Sequence, residues 1–118
     1  MEPRPEDGPP MAPAVAHLVT RGFIEIRSLT TDLSRRAEND VAAPADPGVV
    51  ARIRTIAEVC HSLSSVLAEE DATERERKAR WALAYRWAAS SAESREWIMA
   101  VLGADIAELL DRERHVID

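Results

Sequence analysis

The sequence predicts an all-α fold, an up-and-down bundle of four helices, or three if the last two are fused. Three observations carry this. Apolar residues recur at spacings of four and three along most of the chain, the period of one helix face. Five of the seven prolines lie in the first 13 residues, and the other two are Pro44 and Pro47. Gly numbers only 4, in a chain rich in Ala, Leu, Glu and Arg, which are strong helix formers. No segment alternates with period two, and there is no Asn-Gly turn or β-branched run to mark a hairpin.

The prolines set the domain limits. Residues 1–12 read as a disordered proline-rich tail, with too few apolar side chains to offset the entropy of ordering. Residues 13–118 read as one helical domain. Its first helix is expected from about Pro13 to Glu38, with proline in the first turn, where a missing N–H costs nothing. Val15, Val19, Gly22, Ile26, Leu29 and Leu33 form a seam of coiled-coil spacing. A glycine on that seam costs ~1 kcal/mol of helix propensity, so Gly22 implies close approach by a neighbour. Phe23 flanks the seam, and Ile24 points away from it.

DVAAPAD, residues 40–46, reads as a loop. Asp46 then caps a second helix with Pro47 in its first turn. Val49, Ile53, Ile56, Cys60, Leu63 and Leu67 make its seam, widened by Val50, Ala57 and Ser64. The third helix starts at the capping box Thr73-Glu74-Arg75-Glu76, or one turn earlier at Asp71 with Glu74. Its apolar residues, from Leu83 and Trp87 through Ala84 and Ala88 to Trp81 and Tyr85, span about 200° at 100° per residue. A surface helix needs a stripe of only ~100° or somewhat more. Arg80 falls inside the arc near Trp87, placed to stack on that ring or to bond a carboxylate across an interface. Ser90-Ser91-Ala92-Glu93 is a second capping box that starts a fourth helix. It carries Trp97, Ile98, Val101, Leu102, Ile106, Leu109 and Leu110, with a break or kink at Gly103. The final RERHVID is polar and expected to fray.

Several chemistries lose support. A net charge of −6 argues against nucleic acid as a partner, since phosphate neutralisation needs a basic face. ERERKAR, residues 74–80, reads as a solvated turn of internal Glu–Arg pairs. No apolar run approaches the ~20 residues of a membrane span. One cysteine makes no internal disulfide, which fits a reducing cytoplasm, and MEPRPEDGPP lacks the basic start and apolar run of a secretory signal. No phosphate-binding or nucleophile-elbow motif occurs.

EVCHSL, residues 58–63, is the one stretch resembling a reactive site. Glu58 and His61 have the Glu-x-x-His spacing of di-iron bundles, but they fall opposite the seam, where inward ligands are required. Cys60 lies on the seam and reads as a small core residue. Adjacent helical residues diverge too far for a Cys60–His61 catalytic pair. No catalytic residue, metal ligand or cofactor is therefore assigned.

The functional expectation is a non-enzymatic interaction or regulatory module, homodimeric through the third helix. The wide arc needs covering on two sides, and Ile24 adds apolar surface. The alternative is a small-molecule pocket between helices, lined by Trp81, Tyr85, Trp87, Trp97 and Arg80. The residues assigned to interface or pocket are Arg80, Trp81, Leu83, Tyr85, Trp87, Trp97 and Ile24.

RIRTIAEVCHSL (52–63) and YRWAASSAESREWI (85–98) resemble segments of small helical proteins from high-GC actinobacteria. Where that group has Asn after Cys-His and Pro after Leu, this chain has Ser62 and Ser64. The resemblance covers about a quarter of the chain. It implies a bacterial cytoplasmic setting and no particular activity.

Overall fold

A computed structural model of the chain describes residues 9–39 and 46–117, with side chains as far as 112. Its elements are α1 (Met11–Asn39), α2 (Pro47–Leu67), α3 (Ala72–Ala88), α4 (Ala92–Leu102) and α5 (Ala104–Ile117). All elements among the described residues are helices. They number five rather than four: α3 and α4 are separate, as the four-helix reading had them, and the break at Gly103 adds the fifth. The expected tail, apart from its last few residues, and the expected loop, apart from Asp46, lie outside the described residues.

The caps explain the boundaries. Asp46 accepts a hydrogen bond from the Gly48 N–H at 2.8 Å, as expected. For α3 the earlier start prevails: the Asp71 carboxylate accepts from the Glu74 N–H at 2.8 Å. The cap of α4 is Ser91, one residue beyond the start of the expected box, accepting from Ser94 N–H. Gly103 ends α4 with φ 95°, a conformation open to glycine and costly for other residues. Its N–H still bonds the Met99 carbonyl. Helix α5 then continues through Ile117.

Helix α1 begins at Met11, two residues before the expected boundary, and Met11 is fully buried. The first turn of α1 holds no acidic residue. A carboxylate from α3 takes that place: Glu76 accepts from Met11 N–H at 2.7 Å and from Ala12 N–H at 2.9 Å. Two amides left open by the helix start are thus satisfied, and a negative charge sits at the positive end of the helix dipole.

Helices α1 and α2 run antiparallel. Val19 meets Cys60, Glu25 meets Arg52 and Arg36 meets Asp46, so residue numbers rise along one helix as they fall along the other. Helix α1 also packs on α3 and α4, while α5 packs on α3 and α4. The core gathers where these layers overlap. Met11, Val15, Leu18, Ile56, Val59, Leu63, Leu83, Ile98 and Leu110 are its largest fully enclosed members.

The predicted seams hold at this end and weaken toward the α1–α2 loop. Ile26, Leu29, Leu33, Val49 and Ile53 are only half-buried, because two helices alone cannot enclose a seam. On α2 the buried face is widened by Val59 and Val66. Val50, Ala57 and Ser64, expected to widen it, are exposed, and so is Leu67. Gly22 behaves as its spacing implied: a Cβ there would lie 2.2 Å from Cys60 Sγ and 3.2 Å from the Trp97 ring.

Candidate functional site

The apolar arc of α3 divides into two faces. Leu83 is 0% and Trp87 4% exposed, and both belong to the core. Trp81 and Tyr85 are 63% and 54% exposed and stack on each other, with ring centroids 5.3 Å apart and planes 10° from parallel. Being one turn apart, they share the outer face of the helix. The expected interface set is thereby sorted. Trp81 and Tyr85 are surface residues, Leu83, Trp87 and Trp97 are core, and Ile24 is exposed on α1.

The expected aromatic pocket does not assemble. Trp87 donates its indole N–H to Asp111 at 2.8 Å, which ties α3 to α5. Trp97 donates its own to Glu25 at 2.7 Å, which ties α4 to α1. The cation over Trp87 is Arg95, 5.6 Å from the ring centroid, in place of the expected Arg80. Arg95 also donates to the carbonyls of Trp87 and Ala88, a cation closing the C-terminus of α3. Arg80 sits 4.0 Å from Glu76.

The charged run at the start of α3 is paired only in part within itself: Arg75 and Lys78 reach residues before it, and Glu76 reaches α1. Arg77 bonds Glu74, and Lys78 bonds Glu69 at 2.7 Å. Hydrogen bonding from Lys78 holds the Glu69 carboxyl below its ordinary range, and Arg77 does the same for Glu74. These pairs edge a shallow groove of about 390 Å³ between α2 and α3, lined also by Ser62, Val66 and Trp81. Its cations are already matched.

A second concavity, of about 400 Å³, lies among α1, α2 and α4. His17, Arg21 and Glu25 follow one another at one-turn intervals along α1. Arg52 comes from α2, and Trp97, Ala100 and Val101 come from α4. Both Glu25 oxygens have partners here. One oxygen accepts from Arg52 Nε and Nη2, each at 2.7 Å, and the other accepts from the Trp97 indole. Sequence reading missed this site because its members lie on three helices and share no motif.

Cys60 is half-buried against Gly22, with its thiol 4.0 Å from the Val19 carbonyl. Desolvation pushes its pKa up, which favours the neutral thiol over the nucleophilic thiolate. Glu58 and His61 are exposed, on the side of α2 away from the core. Among the described residues no group of three or more His, Cys, Asp and Glu is arranged to hold a metal ion, and no helix is long and apolar enough to cross a membrane. No protein-family model, curated protein or solved structure matches this chain.

Proposed function

We propose that this chain is a non-enzymatic helical interaction module that pairs with a second copy of itself through the outer face of α3. The observation that carries the reading is the parallel stack of Trp81 on Tyr85, with more than half of each residue in water. The stacked pair leaves ring edges and outer faces in water, and Trp and Tyr are among the residues most enriched at the energetic centres of interfaces.

Two-fold symmetry allows the pair to meet its own copy. A two-fold axis passing between the rings sets Trp81 of one copy on Tyr85 of the other. The long side chains of Arg77 and Lys78 on the N-terminal side then face the small Ala88 and Ala89 of the other copy. The non-enzymatic part of the reading is supported by Cys60, whose thiol lies 4.0 Å from the Val19 carbonyl and is kept toward its neutral form by desolvation.

The test is Trp81→Glu. Light scattering coupled to gel filtration should give a wild-type dimer and a mutant monomer, with helical circular dichroism retained in both. A mutant that keeps the wild-type mass, or that loses its helicity, contradicts the reading.

A further inference from the structure

We propose that the concavity among α1, α2 and α4 binds a small organic monoanion, a carboxylate carried on a compact apolar body. The argument begins with Glu25. Arg21 precedes it by one helical turn, within pairing distance on the helix surface. Each Glu25 oxygen already accepts from another partner, one from Arg52 and the other from the Trp97 indole. Arg21 makes no hydrogen bond or ion pair among the described residues, and neither does His17 one turn before it. The chain as a whole is acidic, at −6, yet this concavity is lined by two arginines and a histidine against a single carboxylate, which is bonded to Arg52.

The opposite wall is apolar, made by Trp97, Ala100 and Val101 of α4. A site with donors on one side and an apolar wall on the other selects an amphipathic ligand. Its volume of about 400 Å³ is near the lower end of small-molecule sites, ~300–1,000 Å³, so the body is small. The planar fork of Arg21 matches a carboxylate in bidentate fashion, and His17 offers a further N–H. Glu25 sets the charge of the ligand. Its fixed negative charge disfavours a second charge nearby, so a monoanion is preferred over a phosphate dianion.

The experiment titrates the full-length ¹⁵N-labelled chain with sodium benzoate, benzyl alcohol and sodium phosphate at constant ionic strength. The indole N–H resonance of Trp97 is the readout. Benzoate should shift it saturably, and benzyl alcohol and phosphate should each bind about tenfold more weakly or less, the scale of one lost charge-assisted hydrogen bond. Arg21 is exposed, so Arg21→Gln should fold normally and weaken benzoate by about tenfold. Arg35→Gln, elsewhere on α1, should leave it unchanged. The proposal is overturned by the absence of a saturable benzoate shift, or by benzyl alcohol or phosphate binding as tightly. It is equally overturned by unchanged affinity in Arg21→Gln, or by an equal loss in Arg35→Gln.

Discussion

Cys60 Sγ occupies the space that a side chain at Gly22 would need. A Cβ built on Gly22 lies 2.2 Å from that sulfur, with Ile56 and Trp97 each at 3.2 Å. Helices α1, α2 and α4 therefore meet at a residue without a side chain. The thiol fills the gap, and the Trp97 indole crosses α1 from Gly22 to its hydrogen bond with Glu25. Gly22→Ala should destabilise the protein by about 2 kcal/mol in urea unfolding, the usual cost of forcing atoms into a packed core. Cys60→Ala in the same chain should recover part of that loss, since it removes the nearest obstructing atom. Additive costs in the double-mutant cycle would mean that the two residues do not compete for space.

The same thiol gives a pH signature. Desolvation raises the folded-state pKa of Cys60, so on alkalinisation the unfolded thiol loses its proton first. The native state then binds more protons than the unfolded state, and stability falls as pH rises. The thiol's contribution is intact below the ordinary thiol pKa of about 8.5 and is lost as pH climbs toward the raised folded value. Wild type should show a steeper alkaline decline in melting temperature than Cys60→Ser. Native labelling by a thiol reagent should likewise be slow, and should accelerate on unfolding.

Glu76 links the start of α1 to α3 through two amides, at 2.7 and 2.9 Å. Glu76→Ala should cost about 2 kcal/mol, because it leaves part-buried donors without a partner and removes a charge from the helix start. Glu76→Gln keeps one carbonyl acceptor and should cost roughly half as much. Chemical denaturation of the two variants checks the order. Equal stability of all three proteins would remove the contact from the account.

Periodicity and cap chemistry made the helices legible, and they placed Cys60 and Gly22 on facing seams. They did not choose between the two faces of α3. An arc of about 200° contains two stripes of ordinary width, and spacing alone does not say which one meets the core. Trp87 and Trp81 are chemically alike, yet one bonds Asp111 and the other lies on the surface. Tertiary partners decided this. They also decided the α2 face, where Val59 and Val66 turn inward and Val50 outward. The Glu76 cap and the Glu25–Trp97 bond join residues 64 and 72 positions apart, beyond the reach of any local pattern. The α1–α2–α4 concavity was hidden for the same reason.

Self-pairing through Trp81 and Tyr85 is the central claim, and the oligomeric state of the unmodified chain tests it most directly. Sedimentation velocity across a concentration series should show a species of twice the 13.1 kDa chain mass, which dissociates on dilution. A chain that sediments as a monomer at every concentration, with Trp81 and Tyr85 in water, would contradict it.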